Sequence, residues 1–231
     1  RNSQFGSSNT GLAGYGLQLS PNWRANASVG TTFVIPSFLE LYDPYGPNPA
    51  LRPERGINRE VGLTWSQGSQ QVKVTYFDNR IRDMLQYNLD TSMTENVGQA
   101  RIDGVSTAWK GTFGALSLRG TVDLLDPRDE SNGSQLARRA KQVATLGADW
   151  QAGAWRYGGV VLHTGQRYSK PTNVERLPAY TTLDLYAQWQ FAANLSLQAK
   201  LNNVTDKFYE TAYGYNQQGR ALYLTVRWQP K

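Results

Sequence analysis

The chain has 231 residues, a formal net charge of +6 at neutral pH, no cysteine, one histidine and only 39% hydrophobic residues. The missing cysteines exclude a disulfide scaffold, a zinc finger and a thiol nucleophile, and no apolar run approaches the roughly 20 residues of a membrane helix. The basic residues are dispersed rather than gathered in a stripe, which argues against nucleic acid, while a transmembrane β-barrel tolerates so polar an average because only alternate residues meet lipid.

The opening Arg1-Asn2-Ser3-Gln4 is polar and shows no secretory signal, so the chain is expected to be a mature form or a fragment. A first strand over Leu12–Leu19 turns at Ser20-Pro21-Asn22 into a second over Trp23–Val34. In the second, Trp23, Ala25, Ala27, Val29 and Phe33 alternate with Arg24, Asn26 and Ser28, the period of a strand with one apolar side. The connection 35–56 carries five prolines and is read as loop, because proline cannot donate to a ladder. Strands over 58–66 and from Val72 to Tyr87 follow, separated by Gln67-Gly68-Ser69; the alternation slips around Asp78 to Asp83, leaving the faces there unassigned.

A loop near Thr91 leads to a strand through Ala108, a turn at Phe113-Gly114 and a strand over 115–125, followed by an acidic loop over 126–133. Strands over 141–151 and 154–168 meet at Ala152-Gly153. A loop over 169–177 precedes strands over 179–190 and 194–202, and the loop 206–219 precedes the last strand, with Leu222, Leu224, Val226 and Trp228 outward. Eleven segments thus alternate strictly between short turns and long loops, the asymmetry of bacterial outer-membrane barrels. All seven tryptophans, Trp23, Trp65, Trp109, Trp150, Trp155, Trp189 and Trp228, fall at the short-turn end, as a girdle of amphipathic rings at one membrane interface requires. Tyrosines including Tyr42, Tyr45, Tyr87, Tyr168, Tyr209, Tyr213 and Tyr215 gather at the other end. The expected fold is all-β, an antiparallel up-and-down transmembrane barrel. Eleven strands leave two unpaired edges, costly in lipid, so residues 1–231 are expected to be the C-terminal half of a larger barrel.

Three segments carry a resemblance. Pro36-Ser37-Phe38-Leu39-Glu40-Leu41-Tyr42 with Asn48-Pro49-Ala50-Leu51-Arg52-Pro53-Glu54, Asn96-Val97-Gly98-Gln99-Ala100-Arg101-Ile102-Asp103-Gly104-Val105, and Asn202-Asn203-Val204-Thr205-Asp206-Lys207-Phe208-Tyr209 resemble, in order, the signatures of TonB-dependent outer-membrane receptors. The loop from Tyr209 to Arg220 and the strand start Leu136-Ala137-Arg138-Arg139-Ala140-Lys141-Gln142 are similar to the cobalamin-receptor branch. The resemblance implies a 22-stranded barrel of which these are the last eleven strands, with an N-terminal plug and an energy-coupling box that this sequence lacks. It implies uptake of a bulky scarce nutrient, with cobalamin as the transported ligand, TonB as the coupling partner and no covalent cofactor; any calcium site belongs to the missing half. Siderophore or metal-chelate uptake, and a passive porin or secretion pore, stand as alternatives. Arg138 is implied to contact ligand from the wall, with Tyr168, Tyr213 and Tyr215 as further ligand-binding candidates. A loop-base arginine on lipopolysaccharide or a carboxylate is the other reading of Arg138. Three departures stand out: Thr205 replaces the family's usual phenylalanine, Gln229-Pro230-Lys231 follow the terminal aromatic, and the segment from Arg167-Tyr168 to Ala179 is shorter than the resemblance to cobalamin receptors implies.

No enzymatic constellation emerges. His163 shares a face with Trp155, Tyr157 and Val161 and reads as an interfacial side chain rather than a base. Asp126, Asp129 and Glu130 match no calcium-loop template and read as a solvated acidic loop. No metal ligands are expected.

Overall fold

A computed structural model describes residues 4–230. Its main body is one antiparallel sheet of eleven strands in which nearly every strand pairs with its neighbours in sequence. The strands are β1 (Leu12–Ser20), β2 (Trp23–Val34), β3 (Glu54–Gln67), β4 (Gln70–Asn88), β5 (Met93–Phe113), β6 (Leu116–Asp129), β7 (Gln142–Ala152), β8 (Trp155–Thr164), β11 (Tyr180–Ala192), β12 (Leu195–Asn202) and β13 (Ala221–Trp228). Between β8 and β11 lie two short strands, β9 (Arg167–Tyr168) and β10 (Arg176–Leu177), which form a separate hairpin.

Directly opposed residues of an antiparallel pair share a face, so the registers sort the wall into two sides. One side carries Trp23, Trp65, Val72 and Trp109 across β2 to β5, and Leu116, Trp150 and Tyr157 across β6 to β8. Trp155 with Trp189, and Leu195 with Trp228, continue the row. All seven tryptophans therefore lie on one face at the short-turn end. Trp155 stacks on both Tyr157 and Trp189, with centroids 5.8 and 5.5 Å apart. The apolar face is the one lipid covers in a barrel, which explains why Leu146, Val161, Leu224 and Val226 are exposed in the isolated wall. His163 lies on this face as expected, its Nδ1 2.9 Å from the Thr181 hydroxyl.

The opposite face is polar. Asp149, almost wholly buried, accepts hydrogen bonds from Arg119 and Arg156 on the two neighbouring strands and from Tyr186 on β11, one strand beyond. A Cβ at Gly158 would stand 2.5 Å from the Tyr186 ring, so the missing side chain is what lets this tyrosine lie against the wall.

The alternation does not slip in β4. It holds through Asp78, Arg80 and Arg82, which share a face with Val72, Val74 and Tyr76. What changes is chemistry: above the apolar band the outward side turns charged, while inward Ile81 packs with Ile102, Met84, Val97, Ala100 and Leu136 in a small buried cluster. Only at Asp83, with φ of 55°, does the backbone break regularity.

Four boundaries correct the sequence reading. The connection 35–56 contains a helix, α1 (Phe38–Tyr42), started by a capping box: the Ser37 hydroxyl accepts from the Glu40 amide, and the Glu40 carboxylate accepts from the Ser37 amide at 2.7 Å. The segment 126–133 is not all loop. β6 runs to Asp129, and Asp126 is paired with Arg128 and Lys141. The strand over 154–168 stops at Thr164, and Arg167–Tyr168 pairs instead with Arg176–Leu177. β3 starts at Glu54, not Asn58, because the ladder to Val34 continues past the apolar pattern.

Candidate functional site

The long loops sit at one end of the wall and are tied to one another. Leu136, 2% exposed, seats the β6–β7 loop on the cluster of Met84 and Ala100, and its amide donates to the Pro127 carbonyl at 3.0 Å. From that anchor Asn173, in the β9–β10 turn with φ of 57°, makes a reciprocal amide pair with Gln135. Its Nδ2 donates to the Gln135 carbonyl at 2.8 Å, and its Oδ1 accepts from the Gln135 amide at 2.9 Å.

Lys170 clamps two segments, its Nζ 2.6 Å from both Asp90 in the β4–β5 turn and Glu175 in its own hairpin. The hydrogen bonds it donates to those two carboxylates hold its pKa above the ordinary lysine value. The β2–β3 loop joins through Asn96, whose Nδ2 donates to the carbonyls of Arg52 and Asp83 while its Oδ1 accepts from the Arg52 amide.

The last loop is organised by Asn203, with φ of 47°. Its side chain donates to the Lys207 and Gln218 carbonyls and accepts from the Lys207 amide, and its own amide donates to Asp184. Arg167, 3% exposed, donates to the Glu210 carbonyl and lies 5.2 Å from the Tyr180 ring centre. Tyr180 stacks on Tyr209 at 4.0 Å, and burial raises the Tyr209 pKa. This Arg–Tyr–Tyr stack pins the last loop to the β9 hairpin.

Three of the four expected ligand residues come together on this lattice. Arg138, in the left-handed region at φ of 60°, donates its amide to the Tyr168 carbonyl at 2.6 Å, and its Nη2 donates to the Tyr87 carbonyl at 2.7 Å. Tyr213 joins through its amide, which donates to the hydroxyl of buried Ser169 at 2.9 Å. Tyr215 is not tied to Arg138; it sits across a tight turn, its amide donating to Ala212, and its ring is largely exposed. Nη1 of Arg138 and the rings of Tyr213 and Tyr215 are thus presented on fixed backbones. Sequence reasoning missed Asn173, Lys170 and Arg167. Of these, Asn173 alone carried a local signal, as an asparagine two positions after Pro171 in a polar loop.

A wall with an aromatic girdle at the short-turn end and interlocked long loops at the other defines a membrane β-barrel that presents its loops to the outside. Residues 1–204 match the family described as TonB dependent receptor-like, beta-barrel, and the chain belongs to that family of outer-membrane proteins. It is 30% identical over 236 aligned residues to the vitamin B12 transporter BtuB of Vibrio vulnificus, an alignment covering 98% of this chain and 38% of that protein. The fold is similar to that of the copper transporter OprC, with a TM-score of 0.79 and 18% identity over 95% of this chain and 39% of the other. It is also similar to the siderophore receptor PirA of Acinetobacter baumannii, with a TM-score of 0.80 and 17% identity over 98% of this chain and 41% of that one. The chain spans about two fifths of the length of each of these relatives.

Proposed function

We propose that this wall is the C-terminal half of the barrel of a receptor that takes up cobalamin across the outer membrane, driven by TonB through a plug carried elsewhere in the protein. The observation that carries the substrate is the 30% identity to a vitamin B12 transporter along nearly the whole chain. The solved receptors, at 17–18% identity, share the fold and do not select among ligands. In this reading Arg138 gives its free guanidinium nitrogen to amide or phosphate oxygens of the ligand, a rigid donor that suits such acceptors. Tyr168, Tyr213 and Tyr215 supply flat amphipathic contact, which costs little side-chain entropy. The loop lattice keeps these groups in place before ligand arrives, which limits the ordering cost of binding. No step calls for a catalytic group, in keeping with a family of transport receptors rather than enzymes.

The test is a titration of the purified full-length receptor with cyanocobalamin and, separately, with ferric siderophores. Saturable cobalamin binding that weakens about tenfold in Arg138→Ala is expected, the effect of one charge-assisted hydrogen bond. Saturable binding of a ferric siderophore with none of cobalamin would transfer the reading to metal-chelate uptake.

A further inference from the structure

We propose that a lysine-lined hollow on the polar face of β4 to β6, at the short-turn end, is a second and weaker station for the transported ligand, taking its phosphate in transit. That face is the one turned to the lumen once the barrel is closed. The station follows from the reading of the chain as a cobalamin receptor, whose ligand carries a phosphate diester in its nucleotide tail. The registers define the site. Lys73 stands opposite Thr64 and Ala108, the row continues through Thr121 and Thr145, and Arg24 joins it across Thr64. One row nearer the short turns, Gln71, Lys110, Arg119 and Gly147 follow one another on β4 to β7. Four cations thus share two rows, level with Trp65 and Trp109 and facing the other way.

Small residues between the cations leave room. A hollow of about 510 Å³ opens among Gln71, Lys73, Lys110, Arg119, Thr121 and Thr145, with Ala108 between the two lysine rows. Arg119 lies flat beside it because position 147 is glycine; a Cβ there would stand 2.8 Å from the Arg119 Cζ. Of the four cations only Arg119 is tied to a carboxylate, that of Asp149. Among the described residues Arg24, Lys73 and Lys110 make no ion pair, and the hydroxyls of Thr121 and Thr145 make no hydrogen bond. Arg24, Lys73 and Lys110 are all exposed. Asp123, one row toward the loops on β6, forms no ion pair with them.

The chemistry suits a passing phosphate. Positive charge without acidic partners in a walled space draws anions and raises their local concentration. Lysine is a hydrated point charge on a flexible stem and lacks the bidentate hold of an arginine fork. A site on a transport path needs that balance, favourable enough to enter and weak enough to leave. The contrast with the rim follows: there Arg138 is fixed by its bond to the Tyr87 carbonyl, whereas here Lys73 and Lys110 are free to follow the ligand. On β8 and β12 the same face carries Arg156 and Lys200, which are committed to Asp149 and Asp184. Charge complementarity therefore favours one occupant at β4 to β6, the phosphate of the transported corrinoid.

The experiment compares initial uptake of cyanocobalamin and of dicyanocobinamide, a corrinoid without the phosphate-bearing tail, into TonB-containing cells whose outer-membrane route is the full-length receptor. Lys73→Gln/Lys110→Gln is expected to slow cyanocobalamin at saturating ligand about fivefold, the scale of two exposed charge contacts, and to leave dicyanocobinamide unchanged. Its Kd for cyanocobalamin is expected to match the wild type, because the rim is intact, and this also reports that the variant has folded. Lys73→Arg/Lys110→Arg keeps the charge and is expected to restore most of the cyanocobalamin rate. Equal slowing of both corrinoids would overturn the proposal, because the lysines would then hold the plug or the wall rather than a phosphate. So would an unchanged cyanocobalamin rate in the glutamine variant. Uptake of neither corrinoid by the wild type would overturn the reading of the chain as a cobalamin receptor, and the station with it.

Discussion

Replacing Leu136 by alanine should release the loop that carries Arg138 while leaving the wall intact. Leu136 is 2% exposed and packs on Met84 and Ala100, themselves 3% and 1% exposed, with Ile81, Val97 and Ile102 around them. Truncating a buried leucine costs about 2–5 kcal/mol, depending on how far the site collapses. The contact joins a loop to the wall, so this cost falls on local opening rather than on the ladders of β6 and β7. An opening constant raised by 2 kcal/mol corresponds to ~30-fold faster exchange of the amides the loop protects, and more at the upper end of the range. The amides to follow by hydrogen exchange in the full-length receptor are those of Leu136 and Arg138, which donate to Pro127 and Tyr168. Amides of β7 such as Leu146 serve as the internal reference. Unchanged protection at Leu136 and Arg138 would refute the claim that this leucine anchors the rim; equal loss at Leu146 would show that it supports the wall instead.

Other expectations follow from the same geometry. Leu146→Arg places a charge in the lipid-facing band and should destabilise the folded barrel by about 2–4 kcal/mol at the bilayer midplane, whereas Thr145→Arg on the opposite face should cost far less; urea-dependent folding of the full-length protein into lipid vesicles measures both. Asn173→Ala removes the amide pair with Gln135 and leaves that backbone amide without its partner, at a cost of about 1–3 kcal/mol, seen as faster proteolysis near both positions. For Lys170 the sign is set by its raised pKa: a lysine held above its ordinary value keeps the tie fully in place below that value and loses it only as pH rises through the higher one. Spin labels at Thr91→Cys and Thr172→Cys, in a chain free of cysteine, should therefore give a narrow distance distribution through the range where free lysine titrates. Lys170→Met should broaden it at neutral pH, and a wild-type distribution that already broadens between about pH 8 and 10 would contradict the assignment.

The wall was legible in sequence because its signal is simple. Alternation in β2, where Trp23 to Phe33 share a face, and the placement of every tryptophan beside a short turn are both local. The pattern became unreadable where the environment changes along one strand. Asp78, Arg80 and Arg82 continue the face of Val72 to Tyr76, but above the membrane that face meets water and headgroups, so polarity inverts while geometry does not. The rim was less legible. Arg138 was found through likeness to a receptor motif, and its left-handed backbone, its bond to Tyr87 and its closeness to Tyr168 depend on residues up to 51 positions away. Lys170 and Arg167 look like ordinary loop and strand residues; their roles arise from partners such as Asp90 and Glu210 that only the folded loops bring near.

The central claim, that the wall and its rim belong to a cobalamin uptake receptor, is tested most directly by uptake of radiolabelled cyanocobalamin into cells whose only outer-membrane route for it is the full-length protein. The account predicts accumulation that requires TonB and falls in Arg138→Ala at limiting ligand. Accumulation that persists without TonB, or none at all while a ferric siderophore is taken up, would contradict it.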